Sequence, residues 1–294
     1  MLQSWGERQA EIADLAKRQL FFVGGAPRSG TTWVQHMLDS HPDVSCRGEG
    51  HFLHFFAEPM GRLMRWRQEE LAAKNTKLFA GMEGYPLPAA GDFEFLVGSG
   101  ILLALSQQRA GRSCLAIGEK TPENAFYFPN LKRLFPGAKF VGVARDPRDT
   151  LTSAWHLVQN RGSQGDTAAA REAFVRRAVE AVVQFLRAMV DLRRRYAADV
   201  VIVTYEDLSR APEAVLTEVF RFLGVTYAPD IVARCVEQTR FSAMSAGRPA
   251  GVERSGTFFR KGIVGDWVST LTPEMGAFVL NEVGGLFAEF GWQK

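Results

Sequence analysis

The chain has 294 residues, 46% of them hydrophobic and 23% charged, enough for a large α/β domain with a substantial core. Its formal charge of +3 is too small to argue for a nucleic-acid partner but suits an anionic small ligand held by a local basic cluster. Three widely spaced cysteines (Cys46, Cys114, Cys235) exclude a disulfide framework, and no apolar run is long enough to span a membrane.

The N-terminus lacks the basic-then-apolar layout of a signal peptide, so a cytoplasmic protein is expected unless an anchor has been removed. No low-complexity linker or internal repeat interrupts the chain, which predicts a single domain over residues 1–294. Ser4 to Leu20 reads as a helix, because Ser4 and Glu7 have capping-box spacing ahead of a partial apolar stripe.

Phe21 to Trp33 reads as a buried strand, a glycine-rich loop and the first turn of a helix. Gly24, Gly25 and Gly30 allow close backbone approach to a ligand, and Thr31 or Thr32 is placed to cap the helix. Helix-terminal amides and dipole, with Arg28 in the loop, make an anion site. Gly25 and Gly30 have the separation of a nucleotide P-loop, but Thr31 stands where its lysine belongs. Val44 to Phe56 follows as a second strand, its end beside this loop, and on extended backbone Glu49 and His51 share one face.

Pro59 to Asn75 reads as an amphipathic helix with Leu63, Met64 and Leu71 inward, Asn75 to Gly91 as a loop over an acceptor pocket, and Phe93 to Arg109 as a mostly buried helix. Cys114 to Ile117 is a short strand leading to Lys120, with Pro122 opening a helix and Thr121 as its cap. Lys120 then stands at the carboxyl end of a strand, where open α/β sheets bind ligands. Lys139 to Ala144 is a buried strand that puts Arg145 at its tip; Pro147 and Asp149 open a helix whose second turn carries Ser153. Arg148 suits a salt bridge at that helix start. A polar loop, Asn160 to Asp166, precedes a long helix over Thr167 to Tyr196, and Val200 to Thr204 is a further strand ending at Tyr205. Pro212 to Gly224 is a helix, Phe241 opens an irregular segment, and Thr272 to Phe290 closes the chain as a helix. Strands alternating with helices predict an α/β fold, a mostly parallel central sheet with helices on both faces.

The string Pro27-Arg28-Ser29-Gly30-Thr31-Thr32-Trp33 resembles the 5′-phosphosulfate loop of PAPS-dependent sulfotransferases. Other strings follow in the family's order: Glu49-Gly50-His51-Phe52, Glu119-Lys120-Thr121-Pro122, Arg145 with Ser153, Tyr205-Glu206-Asp207-Leu208, and Arg260-Lys261-Gly262 running on to Gly265-Asp266-Trp267. The resemblance implies a P-loop-like nucleotide-binding fold and transfer of a sulfuryl group from PAPS to an acceptor hydroxyl or amine, leaving PAP, with no metal. It implies donor contacts from Arg28, Ser29, Gly30, Thr31 and Thr32, a 3′-phosphate site at Arg145 and Ser153, and adenine contacts from Trp33, Tyr205 and Phe241. Arg260, Lys261 and Gly262 complete the implied donor set.

Arg28 and Lys120 are expected to stabilise the leaving phosphate. The histidine of the family's cytosolic branch is missing, because Pro122 stands in its place. Glu49, matching the base of the glycan-modifying branch, is the expected base with His51 orienting it; His51 itself, Glu119 and His156 remain open as bases. The acceptor, a small molecule, lipid or carbohydrate, is not specified, nor is a homodimer. Two rivals remain: a nucleotide-binding protein that holds PAP or ATP without turnover, and an ATP-dependent small-molecule kinase, against which the missing loop lysine argues.

Overall fold

A computed structural model describes residues 4–292 except 90, 109–110, 161, 163–164 and 255. In chain order the elements are α1 (Trp5–Leu15), β1 (Gln19–Gly24), α2 (Thr31–Asp39), β2 (Val44–Gly48), a π-helical turn (Phe52–Ala57) and α3 (Glu58–Leu78). Then come α4 (Asp92–Gln108), β3 (Ala116–Lys120), α5 (Asn124–Leu134), β4 (Lys139–Ala144), α6 (Pro147–Asn160), α7 (Ala168–Arg195) and β5 (Val200–Thr204). The chain finishes with α8 (Tyr205–Arg210), α9 (Pro212–Leu223), α10 (Pro229–Thr239), α11 (Phe241–Met244), α12 (Pro273–Val283) and α13 (Leu286–Glu289).

Among the described residues the five strands form one sheet in the order β2-β3-β1-β4-β5, every pair parallel. The expected α/β architecture is the observed one. Alternation along β1 builds both halves of the core. Leu20 and Phe22 point into the cluster made with α4, α5, α7 and α12, whereas Phe21 and Val23 point into the one made with α2, α9 and α10. All three cysteines are buried. No helix among the described residues is long and apolar enough to cross a membrane.

Several expectations are corrected. The Ser4–Glu7 capping box is present, but α1 stops at Leu15, and Leu20 belongs to β1, where burial in the sheet outweighs helical spacing. Neither Thr31 nor Thr32 caps α2; Gly30 is the cap, in left-handed conformation with φ 103°. An added Cβ there would lie 2.8 Å from the Tyr205 ring, so both backbone and space demand glycine. β2 ends at Gly48 and β3 separates it from β1, so the extended geometry predicted for Glu49 and His51 is not adopted: His51 is left-handed at φ 45°.

Pro122 and Thr121 precede α5 rather than open it. On α3 the expected inward stripe is only partly covered, with Leu63 55% exposed, and the helix runs on to Leu78, shortening the predicted loop. The closing helix breaks at Gly284 and Gly285. Arg109, the expected end of the fourth helix, and much of the 160–166 loop lie outside the described residues.

Phe22 is fully buried on the central strand. Phe22→Ala is expected to cost about 3–5 kcal/mol of stability, read as a lower midpoint in urea unfolding; a loss under about 1 kcal/mol would contradict a packed core at this strand.

Candidate active site

Parallel pairing puts the carboxyl end of every strand on one edge. The residues that follow those ends meet there: the 25–30 loop after β1, Glu49 after β2, Arg145 after β4 and Tyr205 after β5, with Lys120 as the last residue of β3. Register sharpens this, since Lys120 pairs with Val23 on one side and Gly48 on the other. Glu49 therefore stands about 10 Å, two strand spacings, from the loop rather than directly beside it.

A cavity of ≈ 820 Å³, counted to its open mouth, lies over the β1, β4 and β5 ends. Of the residues implied as donor contacts, Arg28, Gly30, Thr31, Thr32, Trp33 and Arg145 line it, as do Ser153, Tyr205, Phe241, Arg260, Lys261 and Gly262. Ser29 does not; it is buried, and its hydroxyl donates to the Val143 carbonyl at 2.9 Å, fastening the loop to β4. The first helical bond of α2 runs from the Val34 N–H to the Gly30 carbonyl, which leaves the amides of Thr31, Thr32 and Trp33 ahead of the ladder.

The cavity's charge is positive and incompletely matched. Arg28 donates from Nε to Ser153 Oγ at 3.1 Å and from Nη2 to the Phe258 carbonyl at 2.8 Å, with its guanidinium 4.5 Å over the Phe258 ring. Arg145 lies 4.1 Å over the Tyr205 ring and donates to the Ile263 carbonyl at 2.8 Å. Arg28 Nη1, Arg145 Nε and Arg260 Nε are buried without a hydrogen-bond partner. Burial first, then the charges of Arg145 and Arg260, push the Arg28 pKa down to about 10, so it remains a cation at neutral pH. Arg145 is ion-paired with Asp149 at 3.6 Å and Arg260 with Glu253 at 3.0 Å, so the unused capacity lies in single guanidinium nitrogens which, beside idle helix amides, fit an anionic ligand.

The 258–266 segment is held in place by partners that the sequence did not point out. Buried Asp266 pairs with both Arg260 and Lys261. Asp149, read from sequence only as a helix opener, accepts from the Gly265 and Trp267 amides at 2.8 and 2.9 Å. Arg148 forms the expected bridge to Asp146 and also lies over the Trp267 ring. Arg248 donates to the Phe259 and Arg260 carbonyls. Trp33 donates to the Thr239 carbonyl at 2.9 Å, which faces its ring toward the cavity shared with Phe241. Met244, Phe258 and Ile263 also line the cavity; nothing in their local sequence marks them.

Beside this cavity, on the β2–β3 side, stands a second group. Lys120, only 4% exposed, is ion-paired with Glu49 Oε1. His51 Nε2 lies 3.3 Å from Glu49 Oε2, and its Nδ1 is 4.0 Å from Glu123. Thus Glu49 and His51 meet through the turn after β2, not through an extended strand. Glu119 points inward instead: its carboxylate accepts from Asn124, Thr121 and the Gly50 amide, which fixes that turn. Burial raises the Glu119 pKa against those bonds. His156, from α6, has its pKa lowered by burial and then by Arg260.

Residues 21–229 match the family model described as the sulfotransferase family. A putative protein-tyrosine sulfotransferase of Caenorhabditis briggsae is 28% identical over 218 residues, 73% of this chain and 68% of that one. Protein-tyrosine sulfotransferase A of Caenorhabditis elegans is 35% identical over 135 residues, 45% of this chain but only 32% of the relative. A mouse sulfotransferase complexed with PAP shares the fold at a TM-score of 0.57 and 18% identity, covering 97% of this chain and 90% of that one. A sulfotransferase from Mycobacterium avium does so at 0.54 and 14%, covering 98% and 80%.

Gly262 has φ 66°, and a Cβ there would fall 2.2 Å from the Phe241 ring. Gly262→Ala is expected to displace Phe241, weaken PAP binding by about tenfold or more and lower the unfolding midpoint through strain of about 1–3 kcal/mol; wild-type affinity by titration calorimetry would show that this wall does not touch the nucleotide.

Proposed function

The chain belongs to the sulfotransferase family, and on that premise we propose that it moves a sulfuryl group from PAPS to an acceptor hydroxyl by in-line displacement. The observation that carries this reading is the cluster of Arg28, Arg145 and Arg260 around one cavity, with unmatched guanidinium nitrogens and idle α2 amides, on the same sheet edge as the Lys120–Glu49 pair.

In the reaction an acceptor O–S bond forms, the S–O bond to the 5′-phosphate breaks, and PAP leaves. Such a transfer needs alignment and neutralised charge more than covalent chemistry. Arg28 and the Thr31–Trp33 amides meet the charge at the 5′ end, and Lys120 adds a cation from the next strand. Arg28 stays protonated, so it stabilises the leaving phosphate without donating a proton. Arg145 and Ser153 hold the 3′-phosphate, and the Trp33 and Phe241 rings flank the adenine. Glu49 takes the acceptor proton, and His51 orients it. The relatives' names make a tyrosyl phenol the first acceptor class to try; a phenol with pKa near 10 gives up its proton more readily than an alkyl alcohol. A cytoplasmic location remains part of the proposal.

Incubation with labelled PAPS and a tyrosine-containing peptide, a simple phenol, a sugar and an alkyl alcohol tests the activity; no labelled product and no PAP from any acceptor would overturn it. Arg145→Ala and Ser153→Ala are expected to weaken PAP by about 1.5–3 kcal/mol and leave adenosine 5′-phosphosulfate, which lacks the 3′-phosphate, almost unaffected. Equal losses for both ligands would remove the 3′ assignment. Glu49→Gln is expected to keep PAP affinity and lose about 10²–10⁴ in turnover, with His51→Ala costing less. Turnover within a few-fold of wild type at saturating substrates would shift the base to His51.

A further inference from the structure

Two neighbouring hollows lie beside His51, whose Nε2 is 3.3 Å from Glu49. The first is walled by His51, Phe52, Leu53, Glu123 and Tyr127. The second shares Leu53 and Tyr127 with it, passes Gly61 and Phe93, and ends among Arg62, Arg65 and Arg133. Taken together they run from His51, the neighbour of the proposed base, to Arg62, Arg65 and Arg133. The walls come from the π-helical turn, α3, α4 and α5.

The middle of the groove is apolar, formed by Leu53, Ala57, Phe93, Val97 and Leu134. Its far end is basic. Glu58 there lies 3.6 Å from His54, and Arg133 lies 3.7 Å from Glu94. Among the described residues no carboxylate pairs with Arg62 or Arg65. Gly61 keeps the passage open. It is buried in the interior of α3, where alanine would favour the helix. Its backbone does not require glycine, because it is not among the positive-φ residues. A Cβ on it would lie 3.4 Å from the Phe93 ring and 3.5 Å from Arg65 Nη1, so anything larger than alanine projects into the groove.

Helix rise gives the length. From 123 to 133 along α5 is about 15 Å, and from 51 to 65 along the π-helical turn and α3 about 20 Å. From this geometry we infer that the acceptor is an amphiphile: a hydroxyl at Glu49, an apolar segment roughly 15–20 Å long, and an anionic group at Arg62, Arg65 and Arg133. This rests on the sulfotransferase reading above. A carboxylate, phosphate or sulfate would serve equally as the anion, and a chain of about a dozen carbon atoms spans the distance.

The probes are 12-hydroxydodecanoate, its methyl ester and 6-hydroxyhexanoate. Binding is measured by equilibrium dialysis with and without PAP, and sulfation with labelled PAPS. The long acid is expected to bind about tenfold tighter than its ester, the size of a charge-assisted contact. Arg62→Gln with Arg65→Gln should erase that advantage without changing PAP affinity, and the short acid, which cannot reach, should not show it. Gly61→Leu should weaken the long acid and spare PAP. Acid and ester binding equally to the wild type, or an advantage that survives the double substitution, would overturn the inference. Tight PAP binding and sulfation of acceptors regardless of their tails would overturn it while leaving the sulfotransferase reading intact. Failure of PAP binding and of every sulfation would count against that reading, and the dialysis comparison would still decide the groove.

Discussion

Parallel alignment of five strands is the constraint on which the remainder depends. It brings the residue at or just after every strand end to one edge, although those residues lie far apart in sequence. A single antiparallel strand would carry its following loop to the opposite edge. Because the β1–β3–β2 register pairs Val23, Lys120 and Gly48, Lys120 and Glu49 reach the edge together, and their ion pair follows from strand pairing.

Strand order then divides the edge by chemistry. Groups that follow β1, β4 and β5 surround the arginine-lined cavity, whereas β2 and β3 supply Glu49, His51 and Lys120. The proposed donor and acceptor sides therefore come from opposite halves of one sheet and meet where β1 touches β3. Transfer chemistry between two bound molecules benefits from such a layout, since each is held by its own rigid strands.

Positive charge at the donor side has a structural cost that the fold offsets at a distance from the cavity. Asp149 and Asp266 are buried carboxylates, and each answers cations or amides on the 258–267 segment. Together with Arg248 they hold an irregular stretch against α6 that has few hydrogen bonds of its own. The nitrogens left without partners on Arg28, Arg145 and Arg260 are the residue of that balance.

The sequence by itself marked β1, β4 and β5 through short apolar runs such as Phe21–Val23 and Lys139–Ala144, whereas β2 ended at Gly48 rather than Phe56 and β3 ran over Ala116–Lys120 rather than Cys114–Ile117. It also determined the loop after β1, where Gly25 is required by the close Val143 carbonyl and Gly30 by its left-handed backbone and the Tyr205 ring, and the long helix α7 with its cap at Thr167. Strings of adjacent residues carried nearly all the cavity-lining set, since a loop and the helix start behind it are local in sequence. Tertiary structure decided the rest. Leu20 entered a strand because the sheet buried it, Ser29 turned inward because Val143 offered a carbonyl, and the His51 turn is fixed by Glu119. The Asp149 clamp joins residues 116 and 118 positions apart, and the hollows from His51 to Arg65 form only where the π-helical turn, α3, α4 and α5 come together. Such contacts depend on which helix packs against which, and no local pattern of residue types encodes that choice.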